Sequence, residues 1–183
     1  MLGFVKNPFL VGPSLYLRPL ERADAAPMTR WFNDPAVKRS LWVHRPLTLE
    51  HEEARIEELT SDEHAVMLGI ARQDDDRIIG VTGVRRMNFK DRSAELAIVI
   101  GEAEEWGRGL GTEAARLVVG HGFGTLNLHR IWVHVFEDNA RAIGIYEKVG
   151  FRREGVLRQA LFREGRYWDV AVMGILEDEL RTA

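Results

Sequence analysis

The sequence has no cysteine. That one absence removes disulfide bridges, thiolate zinc sites, iron–sulfur clusters and a cysteine nucleophile together. Nor is there an excess of one charge: 25 Lys and Arg face 28 Asp and Glu, a formal net charge of −3. A sequence-independent nucleic-acid binder is therefore not indicated. No apolar run approaches the roughly 20 residues a membrane-spanning helix needs. The segment from Met1 to Pro8 lacks the basic-then-apolar build of a signal peptide. Internal repeats and low-complexity tracts are also missing. What is there is a chain of 183 residues, one domain's worth at about 150 residues per domain. A chain this long buries roughly 70% of its unfolded surface and needs no staples. The expectation is a single cytoplasmic globular domain with neither a nucleic-acid nor a membrane partner.

Along the chain, Leu15 to Arg18 alternates as a short strand. Glu21 to Asn33 reads as a helix with Ala25, Met28 and Phe32 on one face, ended by Asp34-Pro35 because the residue before proline avoids the helical region. Thr48 is placed to cap a second helix running to about Leu59, with Ala54, Ile56 and Leu59 as a modest apolar side. Residues 21–63 hold ten acidic and six basic side chains, read as a solvated helical surface. Ala65 to Ala71 and Arg77 to Val84 read as strands joined at Asp74-Asp75-Asp76, a solvated turn rather than a metal site. Ser93 to Ile100 is apolar on both faces except for Glu95, so it should be central and buried. Thr112 to about Gly122 is helical, and Arg130 to Phe136 is again apolar on both faces. Asn139 to Val149 is helical with Gly150 at the left-handed position after it, and closing strands run from Phe151 to Leu176. Hairpins first and strand–helix units afterwards predict an α/β (α+β) chain: a mixed, mostly antiparallel sheet with helices on both faces.

Two segments carry chemistry. Between Val99 and Thr112 a buried strand feeds a loop with Gly107, Gly109 and Gly111, and a helix opens directly after. Glycine lets backbone approach a ligand closely, and the helix start offers unpaired N–H groups with a partial positive charge. Together they make a phosphate or pyrophosphate cradle, with Arg108 beside it. The Gly-Lys-Ser/Thr of a P-loop is missing, and Thr112 stands where a dinucleotide fingerprint needs its third glycine. In the second segment Asn139 reads as an N-cap. Tyr146, seven residues on, shares its helical face within about 20°. An amide and a phenol then point the same way from the helix top.

Taken together the two segments resemble the GNAT superfamily of acetyl-CoA-dependent N-acetyltransferases, in particular its RimJ/RimL-type branch of ribosomal-protein N-terminal and spermidine acetyltransferases. The family's Gln/Arg-x-x-Gly-x-Gly/Ala matches Trp106 through Gly111, with Trp106 at the position usually held by Gln or Arg. Its Asn-x-x-Ala-x-x-x-Tyr-x-x-x-Gly-Phe matches Asn139, Ala142, Tyr146, Gly150 and Phe151 without a gap. The ending Glu154-Gly155, Gly165, Tyr167-Trp168-Asp169 and Met173 resembles that branch too. The resemblance is sharp over about residues 65–176. It divides the chain into acceptor-side helices at about 21–60, an acetyl-CoA-binding core at about 65–151 and closing strands at about 151–176.

The resemblance implies direct acetyl transfer from CoA to a primary amine, with acetyl-CoA as co-substrate and no metal. It places the pyrophosphate on the amides of Gly107, Arg108, Gly109, Leu110 and Gly111, flanked by Thr112, with Trp106 covering the loop or the cofactor. Ile98, Val99 and Ile100 would lie beside the pantetheine arm, and Asn139 and Ala142 would meet it. Arg141, Arg108 and Lys148 are candidates for the CoA phosphates. Tyr146 would stand near the thioester sulfur. A phenol titrates near ~10 and a thiol near ~8.5, so the phenol can donate as thiolate leaves. The attacking amine must be neutral, which costs an alkylammonium about 4–5 kcal/mol at pH 7. Glu95 is the candidate base, since burial makes a carboxylate a better proton acceptor; a structural glutamate paired with an arginine is the other reading. His134 reads as a satisfied core histidine. Trp31, Trp42, His44 and Glu95 are expected to line the acceptor cleft. Phe162, Tyr167 and Trp168 either line it or form the surface of a homodimer. The acceptor is a protein N-terminus, a polyamine or another small amine; the acidic excess in 21–63 permits a polyamine, while Arg45 argues against one. The alternative is a non-catalytic acyl-CoA-binding or sensing module on the same fold, which predicts CoA binding without turnover.

Overall fold

The computed structural model describes residues 7–180. Residues 1–6, most of the stretch read as lacking a signal peptide, and residues 181–183 lie outside the described residues. Eight strands form one sheet: β1 (Leu10–Val11), β2 (Leu15–Pro19), β3 (Val66–Arg72), β4 (Ile78–Asn88), β5 (Ser93–Ile100), β6 (Arg130–Phe136), β7 (Arg152–Arg163) and β8 (Arg166–Leu176). Their order is β1-β2-β3-β4-β5-β6-β8-β7. Every pairing is antiparallel except β5 with β6.

Strand alternation sends side chains to opposite faces, and each face has its own core. On β5, Leu96, Ile98 and Ile100 join one cluster while Ala97 and Val99 join the other. The first face is covered by α4 (Leu110–Gly124), through Ala114, Ala115, Val118 and Val119, and by α5 (Ala140–Val149), through Tyr146 and Val149. The second is covered by α1 (Ala25–Asn33), through Met28, Trp31 and Phe32, and by α3 (Leu49–Ser61), through Ile56. Helices on both faces of a mixed sheet is the expected architecture.

The elements depart from expectation in three places. The helix read from Glu21 opens with a 3₁₀ turn, Arg22–Asp24, and becomes α-helical only at Ala25. The buried Asp24 carboxylate holds that turn by accepting from the Glu21 amide and from both terminal nitrogens of Arg18, at 2.7 and 2.8 Å. Asp34-Pro35 does end the helix, but it also starts a short one, α2 (Pro35–Lys38): Asp34 accepts from the Ala36 amide at 2.7 Å and proline suits the first helical position. β4 continues past Val84 to Asn88. The cap at Thr48 is as read, its hydroxyl accepting from the His51 amide at 3.2 Å. Among the described residues no helix is long and apolar enough to cross a membrane.

The feature that positions the site is a split in the sheet. β5 and β6 are paired only at Ser93–Arg130, Ala94–Ile131 and Glu95–Trp132. Beyond Glu95, β5 stays with β4 as far as Ile100, and β6 stays with β8 as far as Phe136. The two strands diverge into a wedge whose inner edges have no strand partner. This is why residues 97–100, expected to be buried, are only half-buried.

Candidate active site

A cavity of about 490 Å³ fills the wedge. Its walls are residues 95–99 of β5, residues 133–136 of β6, Asn139, Ala142 and Tyr146 of the α5 region, and, from the other face, Phe32, residues of the 40–47 loop and Arg55. Sequence-remote segments thus meet where the sheet parts.

The glycine loop stands at the C-terminal end of β5. Gly107 has φ of +79° and Gly109 φ of +84°, and an added Cβ would meet nothing within 4 Å at either. Glycine is required there by backbone conformation and not by crowding. Among the described residues the amides of 107–111 donate no hydrogen bond, while those of Thr112 and Glu113 are already bonded to the Gly109 carbonyl at 3.0 and 3.1 Å. Five free amides at the positive end of a 15-residue helix form an anion cradle. This is the group of donors a pyrophosphate needs.

The loop is anchored by Glu105, which is fully buried. Its Oε1 accepts from Arg72 and Arg77 at 2.7 Å each, and its Oε2 accepts from Arg108 at 2.7 Å. Arg108 is therefore tied to the loop's own base. α1 braces the loop from the other side: the Trp31 indole donates to Glu102 at 2.8 Å, and a Cβ on Gly101 would run into its ring. Trp31 was expected in the acceptor cleft, but it does not line the cavity; it is core, because its indole is needed beneath the loop. Trp106 likewise lies outside the cavity lining. Its indole donates to the Ile100 carbonyl at 2.8 Å, and the Arg141 guanidinium stacks over its ring at 4.2 Å. A cation–π contact of this kind holds Arg141 beside the loop.

Asn139 caps α5, its Oδ1 accepting from the Ala142 amide at 3.1 Å. Asn139 also lines the cavity, and its carboxamide N–H groups have no partner among the described residues. Tyr146 is buried and lines the cavity, and among the described residues its hydroxyl has no hydrogen-bond partner. Burial, with the negative charge of Glu95 second, pushes the phenol above its ordinary value.

Glu95 is buried at the apex of the wedge. Its Oε2 accepts from Arg85 Nε at 2.9 Å and lies 3.2 Å from Arg86 Nη1. Its Oε1 lies 3.8 Å from Nδ1 of His134. Two consecutive residues of a regular strand face opposite ways, yet both arginines reach one carboxylate. The register slips between Arg85 and Asn88, and Arg86 sits at φ of +53°. That bulge turns the second guanidinium onto the first one's face.

Of the other expected residues, Ile98, Val99, Trp42 and His44 line the cavity, and Trp42 meets Phe136 edge-on at 4.9 Å. Ile100 does not, since its side chain joins the α4 face. Phe162, Tyr167 and Trp168 are on the β7–β8 hairpin and do not line this cavity; Trp168 packs on Phe136, Leu161 and Val170, while Phe162 and Tyr167 are exposed. The lining includes two arginines that sequence reasoning passed over, Arg55 and Arg85, and a histidine read as core, His134. Arg85 had no signal: counted back from the Asn88–Ser93 pair, Arg86 would stand opposite Glu95, and the bulge puts Arg85 there instead.

Residues 14–152 match the family model of the acetyltransferase (GNAT) domain. A spermidine N(1)-acetyltransferase of Vibrio cholerae is 31% identical over 165 residues, covering 90% of this chain and 94% of that protein. An uncharacterised N-acetyltransferase of Bacillus subtilis is 31% identical over 173 residues, covering 93% and 97%. The crystal structure of the Vibrio cholerae spermidine N-acetyltransferase in complex with CoA and spermine superposes with a TM-score of 0.82 at 30% identity, over 90% of this chain and 96% of that one.

Proposed function

The chain belongs to the GNAT acetyltransferase family, and from that premise we propose that it transfers an acetyl group from acetyl-CoA directly to a primary amine held at the apex of the strand wedge. Its ending supports a place in the RimJ/RimL-type branch. The observation that carries the reading is the wedge itself. The strands part along the length of β5 that leads toward the amide loop, and the cavity between them brings a buried phenol and a buried carboxylate together.

Each part of the chain then has work to do. The amides of 107–111 hold the pyrophosphate, with Arg141 beside them. The unpaired edge of β5 at Ile98 and Val99 and the carboxamide of Asn139 align the pantetheine arm. Acetyl-CoA supplies the activated acyl group as a thioester. Tyr146 donates its proton to the departing sulfur. Its raised affinity for that proton keeps it in the donor form at neutral pH. The proton leaving the amine passes to the free side of Glu95 and the facing imidazole of His134. Arg85 and Arg86 fix the carboxylate so that Oε1 remains available. Transfer needs no covalent enzyme intermediate, which accords with the absence of cysteine.

Release of CoA thiol from acetyl-CoA in the presence of an amine panel tests the reading directly, with no thiol background from the protein. Tyr146→Phe should lower kcat by about a hundredfold, the low end for loss of a general acid, and leave CoA affinity nearly unchanged. Unaltered turnover would remove Tyr146 from the mechanism. CoA binding without turnover of any amine would favour the sensing module.

A further inference from the structure

We infer that the acceptor is a small amine carrying its own anionic group, a carboxylate or phosphate close to the amine, and not a polycation. The inference rests on the acetyltransferase reading and names the substrate class for it.

The charges around the cavity are the starting point. Three guanidiniums line it, those of Arg45, Arg55 and Arg85, against a single carboxylate, Glu95. Partners behind the wall do not reverse the balance. Arg55 bonds the fully buried Glu52 at 3.2 Å, which makes that pair neutral. Glu95 is shared by Arg85 and Arg86, which leaves one positive charge over. Arg45 has no ion-pair or hydrogen-bond partner among the described residues. Four guanidiniums against two carboxylates leave an excess of two positive charges, and His44 and His134 add to it whenever they are protonated.

The acidic residues that made a polycation conceivable from sequence lie elsewhere. Glu53 and Glu57 of α3 pair with Arg22, and neither they nor Glu50 and Glu58 line the cavity. A polyamine entering here would bring each cationic nitrogen toward arginines with one already-paired carboxylate for company. An anionic substituent would find Arg45 unpaired and waiting, in a fork suited to carboxylate or phosphate.

These arginines do not serve the CoA phosphates instead. Arg85 stands opposite Glu95, five residues before Ile100, so the end of β5 that leads to the glycine loop is roughly 17 Å away at 3.3 Å per residue. That loop has its own amides and its own guanidiniums, Arg108 and Arg141. The Glu95 cluster, with Arg85 and Arg86, is therefore at the apex of the wedge, and Arg45 lines the same cavity.

The test compares amines that differ only in the anion, using the full chain, acetyl-CoA and thiol release. Lysine is set against 1,5-diaminopentane, tyrosine against tyramine, O-phosphoethanolamine against ethanolamine, with spermidine alongside. The anionic member of at least one pair should show the higher kcat/KM by about tenfold to a hundredfold, the range a charged hydrogen bond spans. Arg45→Gln, a change on an exposed loop, should erase most of that preference through KM, and Arg45→Glu should turn it toward the diamine. The carboxylate and phosphate pairs distinguish the two anions. Equal or better turnover of the diamine and spermidine by the unaltered protein overturns the inference and leaves the acetyltransferase reading intact. So does turnover confined to peptide N-termini. Turnover of no amine at all, with CoA bound, overturns the acetyltransferase reading and this one with it.

Discussion

At the scale of single residues, two groups of opposite need line one cavity. Tyr146 must keep a proton and Glu95 must be able to attract one. The buried phenol has no hydrogen bond to satisfy it and faces a negative neighbour, so its proton is held more tightly than in water. The same shift has a consequence for stability. The native state keeps a proton that the unfolded chain surrenders above about pH 10, so this contribution is whole below that pH and is lost as pH rises beyond it. The melting temperature of Tyr146→Phe should therefore fall less than that of the unaltered protein between about pH 9 and pH 11; parallel falls would show that the phenol is not insulated. Glu95, by contrast, is buried in company. One oxygen is paired with arginine, and the second lies 3.8 Å from Nδ1 of His134 in the cavity wall. The bulge at Arg86, invisible as a motif, brings a second guanidinium to the first oxygen.

At the scale of elements, the glycine loop and α5 do their work through backbone. Gly109 is in the left-handed region with open space around it. Gly109→Ala should thus fold with a strain of about 1–2 kcal/mol, and the amides of 107–111 should turn away from a common centre. The expected result is CoA affinity down by roughly tenfold or more, read as a smaller CoA-induced thermal shift, with kcat at saturating acetyl-CoA much less affected. A Gly109→Ala variant that binds CoA normally would move the pyrophosphate off this loop. Both elements were legible from the chain because their spacing is local. A strand that runs into glycines and then a helix places its amides the same way in any surroundings. Asn139 and Tyr146 share a face because seven residues make nearly two helical turns. What the elements do to each other was not legible. Trp31 was read as lining the cleft, yet it is buried, its indole bonded to Glu102 and packed on Gly101 beneath the loop, and α1 gives Phe32 to the cavity instead.

At the scale of the whole molecule, one sheet serves two cores. The α4–α5 face and the α1–α3 face draw alternate residues of β5, so neither can unfold while the other stays. A single cooperative transition is expected, and CoA should raise its midpoint. At a CoA concentration near 100 times Kd the linkage is worth about 2.7 kcal/mol, or roughly 5–10 °C for a chain of this size. Two resolved transitions in calorimetry would contradict this. Charge shows the same separation of scales. The chain is acidic overall, at −3, while the cavity it folds around carries an excess of positive groups. Net charge bounds solubility and long-range steering. It says nothing about a cleft whose walls come from residues 32, 45, 55, 85 and 134.

Length, composition and two local motifs were enough to determine the fold class, the sheet with helices on both faces, the glycine loop of free amides and the placing of Asn139 and Tyr146 on one cavity. All of these follow from backbone periodicity and from residues within about a dozen positions of each other. Tertiary structure alone decided where β5 and β6 part, that Arg85 and Arg86 close on Glu95, that His134 faces that carboxylate, and that arginines outnumber carboxylates around the cavity. The physical reason is that those relations join side chains far apart in sequence or turned by a bulge. Burial in the assembled sheet, and not any local preference, selects which of them meet.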